Sequence, residues 1–285
     1  MPKWNEAAKR WLYEKRFKAT VEEDRAKLEW LGLHLQDSEL EEIDHETIAR
    51  ICAIKMCETS PATANRYLAL VRSVLRRACY RWEWIHKVPL VDLYPEPRRR
   101  VRWLTRDQAG RLLDELPHHQ RQVVLFALVT GLRQGNVLGL EWEQVDVDRR
   151  IAWIHADQAK ARRVIRVPLS AAALQILKTC RGAHPRFVFT FRGRPLRSAN
   201  TRAWKRALER AGIEGFRWHD LRHTWASWHA QEGTPLYVLQ DLGGWASETM
   251  VRRYAHLAPH QYAAHAETVG QLLLPLVPCD RELQE

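Results

Sequence analysis

No run of residues in this 285-residue chain comes near the length of a membrane helix, about 20 consecutive apolar positions. The opening Met1-Pro2-Lys3-Trp4-Asn5-Glu6 starts an amphipathic pattern and lacks the apolar core of a signal peptide. The expected compartment is therefore the cytoplasm, with no membrane partner. Cysteine is sparse: Cys52, Cys57, Cys79, Cys180 and Cys279 are odd in number, scattered, and include no CxxC pair. That argues against a disulfide framework or a zinc site and for isolated thiols in a reducing compartment. There is no internal repeat and no low-complexity tract. Lysine almost vanishes after residue 97, where only Lys160, Lys178 and Lys205 remain.

Arginine fills that gap. Residues 1–97 carry 16 basic and 16 acidic side chains, whereas residues 98–285 carry 29 and 18, so the whole net charge of +11 lies in the second part. A basic surface attracts polyanions, and the planar arginine fork suits phosphate. Hydrophobic residues at 46% and charged residues at 28% describe an ordinary globular protein.

Residues 1–84 read as nearly all helix, with apolar positions recurring at helical spacing around Ala8, Trp11 and Leu12 and around Leu28, Leu31 and Leu35. Ile43–Cys57 is a further helical segment. Ser60-Pro61 looks like a cap and first helical position. At about 100° per residue, Tyr67, Leu68, Val71, Val74, Leu75, Ala78 and Cys79 then share one arc. Arg66, Arg72, Arg76, Arg77 and Arg81 share the opposite one, and residues 66–81 contain no acid. A solvated face is the plain alternative; a face set against a nucleic-acid backbone is the expectation favoured here. Residues 85–103 hold Pro89, Pro95, Pro97 and the run Arg98-Arg99-Arg100-Val101-Arg102, the best linker candidate. Beyond it, Thr105-Arg106-Asp107-Gln108 predicts a capping box, and a helix over about Gln120–Thr130 stops at Gly131. Ile151–Ile154 and Val164–Val167 alternate like two strands joined by a basic turn. Helices follow near Ala171–Cys180, near Ala199–Ala211 and through most of residues 218–273.

Four islands in this second part carry unusual polar residues. Arg133 follows the helix-ending Gly131, Lys160 sits in the turn between the two strands, and His219, Arg222 and His223 recur at i, i+3, i+4 on one helical face. Arg252-Arg253-Tyr254-Ala255-His256 surrounds one of seven tyrosines with basic groups, which predicts a phenol eased toward ionisation. His219 and His223 at i, i+4 also fit a metal site, although Asp220 and Arg222 suit an anion better.

In this order the islands resemble the tyrosine recombinase, or phage integrase, family. Its signature is Arg, Lys, His-x-x-Arg, His or Trp, then Tyr. Arg133 in Thr-Gly-Leu-Arg, Lys160 eight residues before Pro168, His219 and Arg222, Trp245, and Tyr254 nine residues later in Arg-Tyr-Ala-His-Leu match it. The match covers the second part of the chain and, more loosely, the first. Two departures stand out: Asn136 replaces the usual Glu or Ser three residues after the first arginine, and Gly243-Gly244-Trp245 replaces Leu-Gly-His.

The resemblance implies a mainly α protein with a small antiparallel sheet, an α+β catalytic domain joined to a helical core-binding domain as a C-shaped DNA clamp. The expected boundaries are 1–88 for the helical DNA-binding domain, 89–103 for the basic linker, and 104–285 for the catalytic domain with its C-terminal helix. It implies a site-specific recombinase that integrates or excises a mobile element through a 3′-phosphotyrosyl link to Tyr254. Arg133 and Arg222 would clamp the phosphate and Lys160 would protonate the leaving 5′-oxygen. His219 would position the phosphate or assist proton removal, and Trp245 would pack behind the site and offer its N–H to the phosphate. His223 is given a supporting place outside the chemistry. Arg66, Arg72, Arg76, Arg77, Arg98, Arg99 and Arg100 are the expected DNA contacts. No cofactor and no metal are expected. The implied partners are duplex attachment sites, a homotetramer on synapsed DNA from a chain that is a candidate monomer when free, and accessory DNA-bending or directionality proteins. Residues 260–274 are the candidate for a segment exchanged between neighbours. A separate arm-site-binding domain, which many members carry, is not expected in this chain. The alternatives are a Xer-type dimer resolvase, a type IB topoisomerase-like enzyme, a non-catalytic DNA-binding regulator and a metal-dependent hydrolase.

Overall fold

A computed structural model describes residues 1–96, 101–159 and 162–257, together with 267 and 271–273. The chain divides into two compact units, Met1–Arg99 and Arg100–Glu285.

The first unit is built from four helices: α1 (Trp4–Glu14), α2 (Val21–Leu35), α3 (His45–Glu58) and α4 (Pro61–Tyr80). Asp44 starts α3 by accepting the Thr47 amide at 2.8 Å. Pro61 starts α4 at a position where its missing N–H is no loss, as the sequence suggests. The apolar arc of α4 turns inward, so that Leu68, Val71, Val74 and Leu75 join Trp4, Trp11, Leu31 and Leu35 in one core. Each such buried side chain contributes about 1.5–3 kcal/mol. Asn65 then fastens the proline-rich segment back onto α4, donating to the Tyr94 carbonyl at 2.9 Å and accepting the Tyr94 amide at 2.8 Å.

The second unit opens with α5 (Arg106–Glu115), started by the expected Thr105/Gln108 capping box. The central helix α6 (His118–Thr130) is apolar on several sides because α8 (Ala171–Cys180) and α10 (Asp220–Gln231) both pack on it. It ends at Gly131, whose φ of +64° is the left-handed stop the sequence predicts. The short α7 (Gln134–Leu138) follows at once. Next comes a three-stranded antiparallel sheet of β1 (Val145–Asp146), β2 (Ile151–Ile154) and β3 (Ile165–Pro168). Ile154 pairs with Ile165 and Ala152 with Val167, which puts the apolar side chains on the core face. The third strand lies one residue later than its alternation predicts, since Val164 is exposed and Ile165 buried. After α8, a two-stranded ribbon forms from β4 (Thr190–Phe191) and β5 (Arg194–Pro195), followed by α9 (Arg202–Arg210). The last described helices are α11 (Leu236–Gly243) and α12 (Thr249–Arg252). They close a small core of their own, Trp225, Ala226, Ala230, Leu239, Trp245, Val251 and Tyr254, around one end of α10. Of the expected exchange segment 260–274, only 267 and 271–273 are described; Leu272 and Leu273 are exposed. Among the described residues, no helix is long and apolar enough to cross a membrane.

Candidate active site

Two glycines set the geometry of the site. Gly131 brings its backbone against Trp225: a Cβ there would sit 2.2 Å from the indole. Gly243 does the same to Trp245, with a Cβ 2.0 Å from that ring. Their carbonyls face each other across Arg222, which rises from the first turns of α10. Its Nη1 donates to Gly131 O at 2.6 Å and its Nη2 to Gly243 O at 2.5 Å. Its guanidinium lies 4.0 Å from the centroid of the Trp245 ring. Arg222 is only 4% exposed. Those two bonds leave other N–H donors of the fork unused. Burial first, then the neighbouring Arg133, pulls its pKa down to about 9.

Arg133 takes the N-cap position of α7, two residues after the left-handed Gly131. Its Nη1 is buried and has no hydrogen-bond partner among the described residues. Burial holds its pKa below the usual arginine value. Among the described residues, neither Arg133 nor Arg222 has an acidic ion-pair partner. Asp220, the nearest acid in sequence, is committed to Arg217 at 2.8 Å. A buried guanidinium depressed by a half-buried neighbour that has an empty donor forms a strong anion site.

Tyr254 lies in the turn after α12 and is 1% exposed. The expectation that its neighbours ease its ionisation is corrected by the fold. Arg252, Arg253 and His256 are exposed, and Arg252 pairs with Glu248 at 2.8 Å. Burial outweighs the help from Arg253 and Arg222 and pushes the Tyr254 phenol up to about 12. In the sequence the basic residues look adjacent; in the fold they point to solvent while the phenol turns into the small core.

The phenol oxygen meets His223 Nδ1 at 2.6 Å. Sequence reasoning left His223 outside the chemistry, and only its i+4 spacing from His219 hinted at a shared face. Burial, then His219, Arg253 and Arg217, pull the His223 imidazole down to about 4 despite Asp220. The His219 and His223 rings stand edge-to-face with centroids 5.2 Å apart. Burial, then Arg222, also lowers His219. Both imidazoles are therefore neutral near pH 7. Among the described residues no group of three or more His, Cys, Asp and Glu side chains is placed to hold a metal ion. Trp245, 7% exposed, packs between Trp225 and Tyr254, each 6.0 Å away between ring centroids.

Lys160 lies outside the described residues; contacts are described for Gln158 and Arg163, which precede and follow it in sequence. Asn136 Nδ2, from α7, donates to Gln158 O at 3.0 Å, and Arg163 Nη2 donates to Trp245 O at 2.7 Å. Neither tether was legible in the sequence, because the partners lie 22 and 82 residues apart.

Among the expected DNA contacts of the first unit, Arg66 and Arg76 are exposed and Arg72 is half-buried. Arg77 departs from expectation. It forms an ion pair with Glu14 of α1, which also accepts Trp82 Nε1 at 2.7 Å. Burial pushes the Glu14 carboxyl up, but the bonds from Trp82 and Arg77 outweigh it and hold it below the usual range. The acid missing from 66–81 is supplied from 63 residues away. Arg98, Arg99 and Arg100 lie outside the described residues.

The phage integrase family model matches residues 102–261. The integrase of Salmonella phage P22 is 37% identical over 95% of this chain and 81% of its own length. In fold, the chain is similar to the Tn1549 transposon integrase in complex with a circular intermediate DNA, with a TM-score of 0.76 and 16% identity, covering 94% of this chain and all of that one. It is also similar to a lambda integrase tetramer bound to a Holliday junction, with a TM-score of 0.74 and 21% identity over 89% of this chain and 77% of that one. With more than half its residues inside the family model and 37% identity to a phage integrase over 95% of its length, the chain belongs to the phage integrase family.

Proposed function

We propose that Tyr254 attacks a phosphodiester of duplex DNA, leaving a 3′-phosphotyrosyl link and a free 5′-hydroxyl, and that a second 5′-hydroxyl then displaces the tyrosine. One observation carries the reading: buried Arg222 and half-buried Arg133, neither with an acidic partner among the described residues, are coupled to each other, and Arg222 lies on the Trp245 ring that packs against buried Tyr254. A pair of desolvated guanidiniums is unstable alone and is relieved by a phosphate. It also stabilises the extra negative charge of the transition state, an effect of about 3–4 kcal/mol per well-placed donor. The covalent link conserves the energy of the broken ester, so rejoining needs no nucleotide. Lys160, which lies in sequence between the tethered Gln158 and Arg163, is the proposed acid for the leaving 5′-oxygen. His219 lines the phosphate site beside Arg222, and Trp245 braces Arg222 from behind.

The first unit is the proposed DNA-binding domain, and Arg66, Arg72 and Arg76 are its contacts to the backbone. The lambda relative forms a tetramer on a junction; the same assembly on two attachment sites is proposed here, in the cytoplasm, for moving a mobile element. Tyr254→Phe tests the reading. With paired attachment-site plasmids, recombination and denaturation-resistant protein–DNA linkage should both vanish while DNA binding persists. A linkage that survives Tyr254→Phe would overturn it.

A further inference from the structure

Tyr254 carries a proton that must leave as its oxygen attacks phosphorus. The contact at that oxygen is made by His223, whose Nδ1 lies 2.6 Å away. The two residues are 31 positions apart, one on α10 and one after α12, so the contact is tertiary. The groups facing His223 are His219 and Asp220 at the start of α10, Arg217 just before it, Arg253 beside the nucleophile, and the Tyr254 phenol itself. Asp220 is held by Arg217, so no carboxylate competes for the imidazole. The phenol is protonated and His223 is neutral, and a neutral imidazole has one donor and one acceptor nitrogen. In the tautomer with its proton on Nε2, Nδ1 accepts and the phenol donates. The O–H bond already points at a base, and an oxygen lone pair is left for phosphorus.

We propose that His223 is a catalytic residue that takes the phenolic proton of Tyr254 during attack and returns it during rejoining, a role that rests on Tyr254 being the nucleophile. In cleavage the Oη–P bond forms, the P–O5′ bond breaks, the phenolic proton passes to His223 Nδ1, and a separate acid protonates the 5′-oxygen. In rejoining the 5′-hydroxyl attacks phosphorus and gives its proton to the conjugate base of that separate acid, the P–Oη bond breaks, and the imidazolium returns its proton to the departing phenolate. Burial, then the positive surroundings, makes His223 a weak base in the free protein. A phosphodiester seated on Arg133 and Arg222 adds negative charge next to those cations and strengthens the base. Nucleophile activation is thereby coupled to the arrival of DNA.

The test uses the full chain and a nicked duplex, enriched from a random pool by its binding to the wild-type protein. A sulfur replaces the bridging 5′-oxygen of the scissile phosphodiester beside the nick, so the leaving group needs no acid. The rate of covalent attachment is followed from about pH 5.5 to 9.5. The wild-type rate should rise and level, whereas His223→Gln should be about 100-fold slower near neutrality and keep rising with pH toward the phenol's own ionisation. His223→Ala should recover at least about tenfold with added imidazole, an outcome that a merely damaged fold does not give. A His223→Gln profile parallel to the wild type, whether equal or lowered by one factor at every pH, would overturn the proposal, as would failure of imidazole to accelerate His223→Ala. Attachment by Tyr254→Phe would instead remove the nucleophile itself, so the two failures are distinguishable.

Discussion

Replacing Arg222 with lysine keeps the charge and removes the fork, and the surroundings of the guanidinium set the cost. The guanidinium spans two backbone carbonyls at 2.6 and 2.5 Å and lies on the Trp245 ring. A single ammonium reaches one carbonyl at best. The other, on a buried glycine, loses its donor at a cost of about 1–3 kcal/mol. The lost stacking on Trp245 adds roughly 1 kcal/mol. The sum, about 2–4 kcal/mol, corresponds to a fall in melting temperature of roughly 5–15 °C for a domain of this size. Catalysis loses more, because a bidentate phosphate contact is removed: covalent attachment should slow about 10²–10³-fold, measured with saturating DNA at a temperature where the variant is folded. Thermal melting and attachment rate are read on the same preparation. An Arg222→Lys protein that melts within about 2 °C of wild type and attaches within about threefold of its rate would refute the reasoning.

The same residues carry three further expectations. Gly131→Ala places a Cβ 2.2 Å from the Trp225 ring at a φ of +64° and should destabilise the second unit by about 2–4 kcal/mol in urea titration. His223 is lowered from an ordinary 6.5 to about 4, so its neutral form contributes stability that is present above about pH 6.5 and lost as pH falls through 4. About 2 kcal/mol should be gone by about pH 5 and about 3 by pH 4, a loss that His223→Gln should lack in denaturant titrations. Arg72→Glu with Arg76→Glu should weaken DNA binding and flatten the salt dependence by about two units of slope, whereas Arg77→Ala should mainly lower stability, because Glu14 is its partner. Salt-series binding isotherms and melts separate the two.

Much of the fold was legible because local chemistry agrees with it. The Thr105/Gln108 box, the Gly131 stop and the Pro61 start are decided within a few residues, and each stands where the pattern puts it. The order of Arg133, Arg222, Trp245 and Tyr254 was equally readable, and the fold stacks Arg222 on Trp245, Trp245 against Tyr254, and sets Arg133 close enough to depress Arg222. Electrostatics was not readable, because it depends on what folding removes from water. Tyr254 looks activated among Arg252, Arg253 and His256, yet those side chains face solvent while the phenol is buried. Arg77 looks free for DNA because its acid, Glu14, is on another helix. His223 looks like a spare histidine until α12 delivers the tyrosine to it.

The central claim is that a single side chain holds the cut DNA. Trapping the protein on a nicked duplex, digesting both partners and sequencing the linked peptide by mass spectrometry tests it directly. The account predicts one nucleotide-bearing peptide, modified at Tyr254 through a 3′-phosphate, with a free 5′-hydroxyl on the released strand. A link to any other residue, or a 5′-phosphate attachment, would contradict it.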